Sequence, residues 1–396
     1  MKNFIYDAPT KVIFGERTEF QTGKELKSRG AHTVLLHYGS ERMVKNNTLG
    51  PIIKCIEDEG IEVVLLGGVK PNPRLSLVRK GIALAQEKKV DFILAVGGGS
   101  VIDSAKAIGA GLYNGGDVWD FFEGTRIPTG CTPLGCILTI AATGSEMGHG
   151  TVINNEETGQ KTPIKNCPYT VCSFAIEDPL LTVSLPPYQT ASGSFDIIMH
   201  TLERWFFNGE RTVLTDSLAE GLLRSVVKNV VIALDTPQNI NARGELMWAS
   251  SLSHNGLTEC GNGSHGDWAC HNLSHELSAK YDSAHGAAIA SVWPSWAKYV
   301  YKINPEAFAK LGYTVFHVAK TDDVDKDART SIDAVAAFIK KIGLPTNIFD
   351  LTGKKLSDSV LEELADGASL KGTHSFGAIK KLDRADMLAI YKLARE

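Results

Sequence analysis

The stretch "DFILAVGGGSVIDSAKAI" (91–108) runs from an apolar segment, Phe92 to Val96, through three consecutive glycines into residues whose apolar positions Val101, Ala105 and Ile108 recur at helical spacing. A short β-branched run that ends on glycine and opens a helix is half of a βαβ unit. Two runs upstream have the same texture, "TVLLHY" (33–38) and "EVVLLGG" (62–68), with Lys- and Glu-bearing helical spacing between them. Strands alternating with helices predict a parallel, Rossmann-like sheet, with ligands beyond the carboxyl ends of the strands. At the glycine run, the free N–H groups and positive end of the following helix suit a pyrophosphate. The run fails a strict G-x-G-x-x-G, since its last position is Ile102. Taken alone, a plain tight turn explains it as well.

Further along, "PLGCILTIAATGSE" (133–146) reads as another strand and loop, "ETGQKTPIKN" (157–166) as a turn-rich hairpin, and "CSFAIEDP" (172–179) as a strand. After "SLPPYQTA" (184–191) β-branched runs become scarce, and Leu, Ala and charged residues follow helical spacing. The expected organisation is an α/β domain over residues 1–187 and an all-α domain over 188–396. No repeat of solenoid length and no low-complexity tract suggests a modular scaffold.

The chain's 396 residues are 43% hydrophobic and 22% charged, a globular composition with room for two cores. Its 41 basic and 45 acidic residues are interspersed and sum to -4, so there is no basic stripe to bind nucleic acid. The start, "MKNFIYDAPTKVIFG", lacks the apolar centre of a signal peptide, and no apolar run approaches the roughly 18 residues of a membrane span. Seven cysteines without a C-x-x-C pair fit a reducing compartment, so a soluble cytoplasmic protein is expected.

The helical half raises a metal question. Three of the chain's 11 histidines fall within "HNLSHELSAKYDSAH" (271–285). His271 and His275, four apart, share one face of a helix, as do Asp196 and His200 in "GSFDIIMHTLE" (193–203). Asp196 stands in an apolar stretch where an uncompensated carboxylate is costly to bury. A divalent cation compensates it, and one carboxylate with imidazoles suits Fe(II) or Zn(II) better than Ca(II). An Asp196–His200 pair without metal remains the alternative, and spacing alone does not choose between His271 and His275.

Four motifs settle into one pattern. "AVGGGSVIDSAKAI", "TIAATGSEM", "DIIMHTLE" and "HNLSHELSAKYDSAHGAAIA", in this order and at these intervals, resemble the iron-containing (group III) alcohol dehydrogenase family. The resemblance runs nearly end to end, including the "VKPNP" turn (69–73) and the "SLPP" boundary, and is greatest to the NADPH-dependent butanol dehydrogenase and aldehyde reductase branch. It implies the dehydroquinate synthase-like fold of that family, a homodimer in which N-terminal strands such as "FIYDAPTKVIFG" pair, and a metal held by Asp196, His200, His271 and His285. It makes His275 a residue that lines the site without binding the ion. It places the cofactor on Gly97, Gly98, Gly99, Ser100 and Asp103, with Asn72, Thr139, Thr143, Ser145 and Lys161 completing the cleft.

The end of the run "TVLLHY" bears on the cofactor. The chain reads "HYGSERMVK" (37–45), so Gly39 stands where NAD-preferring relatives carry an Asp that holds the ribose 2′-OH and repels a 2′-phosphate. Gly39, Ser40 and the nearby Arg42 and Lys45 point to NADP(H), while Glu41 departs from the Tyr-Gly-Gly-Gly-Ser of the similar aldehyde reductases. The resemblance thus implies hydride transfer between NADPH and a small aldehyde or alcohol, with Fe(II) or Zn(II) polarising the substrate oxygen and His275 relaying the proton. Phe122 and Trp268 are candidates to line an apolar substrate pocket. A polyol dehydrogenase on the same fold, or a non-catalytic metal- and nucleotide-binding regulator, are the competing readings.

Overall fold

Six strands lie side by side in the order β1 (Lys11–Phe14), β8 (Phe174–Glu177), β5 (Leu134–Leu138), β4 (Phe92–Gly97), β2 (Thr33–Tyr38) and β3 (Glu62–Leu66), and every neighbouring pair is parallel. A separate antiparallel hairpin is made by β6 (Val152–Asn155) and β7 (Gln160–Pro163). The computed structural model describes residues 1–39, 42–45 (Arg42 by its backbone only), 47–164 and 167–396. Strands β2, β4, β5 and β8 are apolar almost throughout because a parallel sheet is covered on both faces. The outermost strands β1 and β3 alternate between partly buried and exposed positions.

Topology selects one place on this sheet for a ligand. The chain runs from β2 outward to β3, returns to place β4 on the other side of β2, and continues away through β5 and β8. The strand order therefore reverses between β2 and β4, where an open parallel sheet leaves a crevice at the carboxyl ends. Tyr38 is in register with Val96, so Gly39 and the glycine run leave the sheet side by side at this point.

Among the described residues six helices accompany the sheet: α1 (Thr22–Ser28), α2 (Arg42–Lys45), α3 (Leu49–Glu57), α4 (Leu75–Glu87), α5 (Gly99–Asn114) and α6 (Trp119–Glu123). Leu26 of α1 and Ile52 and Ile56 of α3 belong to one core with Val34, Leu36, Leu94, Val96 and Ile176 of the sheet. Phe122 is fully buried and stacked on Trp119 at 5.4 Å, so it is a core residue and not the substrate-lining candidate of the sequence reading.

One polar residue lies in the middle of β2. His37 has no solvent exposure, and its Nδ1 and Nε2 lie 2.8 Å from the Leu66 carbonyl and the Ser104 hydroxyl. Burial pushes its pKa down from 6.5 to about 4, with the Leu66 contact opposing. The folded form thus excludes a proton that the unfolded chain binds below 6.5. The stability His37 confers is whole above pH 6.5 and declines as pH falls toward 4, by about 3 kcal/mol at about 1.36 kcal/mol per pH unit. Urea melts between pH 7 and 4 should show a shallower decline for His37→Gln than for the wild type; parallel curves refute this.

The remaining helices are α7 (Pro187–Trp205), α8 (Val213–Asp235), α9 (Ile240–His254), α10 (Ala269–Tyr281), α11 (His285–Val300), α12 (Pro305–Val315), α13 (Val324–Lys341), α14 (Ile348–Thr352), α15 (Asp358–Ala368) and α16 (Arg384–Leu393). Pro187 opens α7, where its missing N–H costs nothing and its fixed φ suits a first turn. The core of this part includes stacked Phe206 and Phe308, 4.5 Å apart, with Trp296 edge-on to Phe206 at 5.3 Å. Each such aromatic pair adds about 1 kcal/mol beyond its burial.

By contacts the chain divides into a sheet unit, Ala8–Ser184, and a helical unit, Leu185–Glu396 joined by Met1–Asp7. The change of texture in the sequence places the boundary at 187/188 and the first residues in the sheet domain. The opening segment is also less regular than its composition suggests, since only Lys11–Phe14 forms a strand. Pro9 has no N–H to give a ladder, and Lys2 instead donates its backbone N–H to the Gly261 carbonyl at 2.9 Å. Among the described residues no helix is long and apolar enough to cross a membrane.

Candidate functional site

In the sheet unit, the three glycines are required by packing. A Cβ on Gly97 would overlap Val101, one on Gly98 would overlap Ile140, and one on Gly99 would overlap the Thr143 side chain. This closeness lets β4 turn directly into α5, whose N-cap is Gly98 and whose first turn has no side-chain cap. Gly99 and Ser100 therefore begin a 16-residue helix whose free N–H groups suit an anion.

The polar residues expected around this turn fall into two groups. Lys161 on β7 donates from Nζ to Asn72 Oδ1 at 2.9 Å, and Asn72 holds a left-handed backbone (φ 57°). Asp103 is partly buried; its carboxylate accepts from the Ser145 hydroxyl at 2.6 Å and the Val152 N–H at 2.8 Å. Burial raises its pKa, opposed by the nearby Lys106 charge. Thr143 Oγ1 accepts from the Ser145 N–H at 3.2 Å, and the Thr139 N–H donates to the Gly97 carbonyl at 3.0 Å. Ser40 and Glu41 lie outside the described residues.

Lys106 organises the loop that carries Ser145, a role the sequence reading did not assign. It has no solvent exposure, and its ammonium donates to the carbonyls of Ser145 at 2.7 Å, Gly148 at 2.8 Å and Gly150 at 2.8 Å. A lysine at this helical spacing from Asp103 reads as an exposed residue, because a buried ammonium is rare without such acceptors.

In the helical unit, α7 presents Asp196, His200 and Glu203 along one stripe, four and then three residues apart. Trp268, left-handed at φ 57°, precedes α10, where His271 occupies the first turn; left-handed Asp282 ends that helix, and His285 opens α11. A Cβ on Gly286 would overlap the Ser192 carbonyl, and Ser192 Oγ accepts from the Ala287 N–H at 3.2 Å. The missing side chain lets the start of α11 rest on the backbone of α7.

These elements gather imidazoles around one carboxylate oxygen. Asp196 Oδ1 lies 3.8 Å from His200 Nδ1, 3.6 Å from His271 Nε2 and 3.9 Å from His285 Nε2. All three separations exceed a hydrogen bond. Asp196 Oδ1, His200 Nδ1 and His271 Nε2 are buried without a hydrogen-bond partner, and the ligand atoms that these three residues offer lie within 4.8 Å of one another. Buried polar atoms are ordinarily satisfied, so three unsatisfied together fit the ligand set of a cation, and one oxygen with imidazole nitrogens fits Zn(II) or Fe(II). His275 faces the same region, with its ring 5.6 Å from that of His285 and nearly parallel to it.

Three neighbours of this cluster were not singled out from sequence. Glu203 accepts from His271 Nδ1 at 3.1 Å. The His254 ring sits edge-on to His200 at 4.4 Å. Arg204 lies 4.8 Å over the Trp268 ring and donates to the His200 carbonyl at 2.8 Å. Burial holds His200 well below its usual pKa, reinforced by His254 and His271. Burial also pulls His271 down, but the Asp196 and Glu203 carboxylates outweigh it and raise that group to about 9. Trp268 is 5.1 Å from the His271 ring, so of the two aromatic candidates it is the one beside the cluster.

An α/β unit with a glycine turn at its strand-order reversal, and a helical unit carrying a carboxylate–imidazole cluster, suit a nucleotide- and metal-dependent oxidoreductase. The chain belongs to the iron-containing alcohol dehydrogenase family: the profile of that name matches residues 9–179, and the C-terminal profile of the Fe-containing alcohol dehydrogenases matches 190–395. Membership implies a divalent metal and a nicotinamide cofactor. The chain is 37% identical to the "Probable NADH-dependent butanol dehydrogenase 1" of Bacillus subtilis, over 99% of both chains. It is 33% identical to the "NADPH-dependent aldehyde reductase YqhD" of Escherichia coli, over 88% of this chain and 89% of that one. The crystal structure of NADH-dependent butanol dehydrogenase A from Thermotoga maritima superposes with a TM-score of 0.95 at 36% identity, covering 100% of this chain and 99% of the other.

Proposed function

We propose that this chain is a metal-dependent alcohol dehydrogenase and aldehyde reductase that moves hydride between NADPH and short- to medium-chain aldehydes or the corresponding primary alcohols. The observation that carries the reading is the set of unsatisfied buried atoms Asp196 Oδ1, His200 Nδ1 and His271 Nε2, beside His285 Nε2. These four residues hold the ion, which supplies Lewis-acid polarisation of the substrate oxygen. His275, beside His285, moves the proton to or from that oxygen. Trp268 gives the site an apolar wall.

The sheet unit binds the cofactor. The amides of Gly99 and Ser100 at the start of α5, with Gly97 and Gly98, receive the pyrophosphate. Asn72, Thr139, Thr143 and Lys161 orient the dinucleotide, while Asp103 and Ser145 shape the loop against it. The aldehyde reductase among the relatives is named NADPH-dependent and the butanol dehydrogenases NADH-dependent; Gly39 supports NADPH here, by about tenfold or more in kcat/KM. Exposed Phe4, Ile5 and Tyr6 support a homodimer through the opening segment, and seven unpaired cysteines support a cytoplasmic setting.

The test is consumption of reduced nicotinamide by protein loaded with Fe(II) or Zn(II), offered straight-chain aldehydes of increasing length. Turnover is expected with NADPH, lost on chelation, restored by the ion, and absent in Asp196→Ala. A metal-loaded protein that reduces no aldehyde with either cofactor, or a stripped protein that keeps full activity, overturns the reading.

A further inference from the structure

The geometry points to Glu203 as a positioning residue that fixes the tautomer of His271 and adds a buried negative charge to the ion site, an inference that rests on the metal reading above. Glu203 Oε1 accepts twice from the same residue, from the His271 backbone N–H at 3.2 Å and from the ring at Nδ1 at 3.1 Å. An ionised carboxylate only accepts, so Nδ1 carries a hydrogen and, once the ring is neutral, Nε2 is the nitrogen that offers its lone pair. Nε2 is the atom that lies 3.6 Å from Asp196 Oδ1, buried and without a partner. One hydrogen bond on the far side of the ring thus decides which nitrogen is offered to the ion.

The charge of Glu203 matters independently. The side chain is 1% exposed, and Oε2 has no hydrogen-bond partner. A buried carboxylate half-satisfied in this way is costly unless a positive charge compensates it. Beside it lies a second buried carboxyl, Asp267, pushed up to about 7 by burial and by Glu203 and held by the Ala378 and Ile379 amides at 2.6 and 2.8 Å. The Arg204 guanidinium is turned to Glu259, the His200 carbonyl and the Ser253 carbonyl. Moreover, His271 and His285 are presented from the first turns of α10 and α11, and the positive end of a helix opposes a cation. Asp196 and Glu203 together offset that opposition.

The experiment uses Co(II) as probe, with its dissociation constant measured by chelator competition and its visible ligand-field bands recorded on the full chain, alongside thermal melting of the metal-free protein. Wild type binds Co(II), and Asp196→Ala does not. Glu203→Ala is expected to weaken Co(II) by about 10- to 100-fold and to shift the bands. Glu203→Gln, nearly isosteric and keeping an acceptor for Nδ1–H but not the charge, falls between wild type and Glu203→Ala, whereas a purely packing role would be restored in full. If Glu203→Ala fails to fold, Glu203→Gln decides alone. A folded Glu203 variant that holds Co(II) as the wild type does, with unchanged bands, overturns the role of Glu203 and leaves the metal reading standing. A wild type that binds no Co(II) overturns both.

Discussion

Replacing His271 with alanine is expected to remove the bound ion and the activity together, lowering kcat/KM by about three orders of magnitude, the rate equivalent of the several kcal/mol that a Lewis acid contributes. The loss is larger than one ligand in four suggests. His271 is 6% exposed and stands between two carboxylates, 3.6 Å from Asp196 and 3.1 Å from Glu203. Its removal leaves Glu203 without its ring donor and Asp196 with one fewer imidazole, so the site loses a ligand and both buried carboxylates lose a partner. His275→Ala is the contrasting variant. His275 is one turn further along α10, partly exposed, and stacked on His285. Its removal should leave the ion in place while kcat falls by about 100-fold or more, the scale of a lost general acid–base group. Metal content by elemental analysis, measured beside kcat/KM for both variants, separates the two roles. Retention of the ion by His271→Ala, or its loss from His275→Ala, would reverse the assignment.

Much of the sheet was legible because its strands are apolar β-branched runs closed by glycine; "TVLLHY" is β2 residue for residue. The strand order was not, since nothing local in "EVVLLGG" says that β3 lies outside β2 while β4 takes the inner side. That order is set by pairing, and it is what places Gly39 beside the glycine run. The opening "FIYDAPTKVIFG" shows the opposite failure: it has strand character, and a strand forms only beyond Pro9. In the helical unit, spacing exposed the Asp196–His200 pair but left His271 and His275 equivalent, and the family resemblance was needed to choose. Glu203 had a signal that went unread: seven residues from Asp196, it returns to the same helical stripe. His254 had none, because it lies on another helix, 54 residues from the His200 ring it touches. Contacts between helices distant in sequence leave no periodic trace.

Gly39→Asp should invert the cofactor preference, and the structure makes this an unusually clean substitution. Gly39 is not among the glycines with left-handed backbone, and a Cβ there would meet Val101 Cγ2 at 3.7 Å and the Val69 carbonyl at 3.8 Å, ordinary contact distances. Unlike Gly97, Gly98 and Gly99, it is not required by packing, so stability should change by no more than about 0.5 kcal/mol. The chemical effect is large by comparison. Two unit charges about 4 Å apart interact by about 4 kcal/mol at an effective dielectric of 20, and solvent at the open end of β2 reduces that by about half. Repulsion of a 2′-phosphate at this level lowers kcat/KM with NADPH by about 30- to 100-fold, while a carboxylate accepting from the ribose 2′-OH improves NADH by about tenfold. The ratio of the two specificity constants therefore swings by about three orders of magnitude. Steady-state rates with both cofactors, on wild type and variant, test it. A ratio unmoved by Gly39→Asp in a protein that melts normally would mean that the adenosine ribose does not lie at the end of β2. The NADPH assignment would then lose its physical basis, and the NADH dependence named for the butanol dehydrogenases at 35–38% identity would become the better guide.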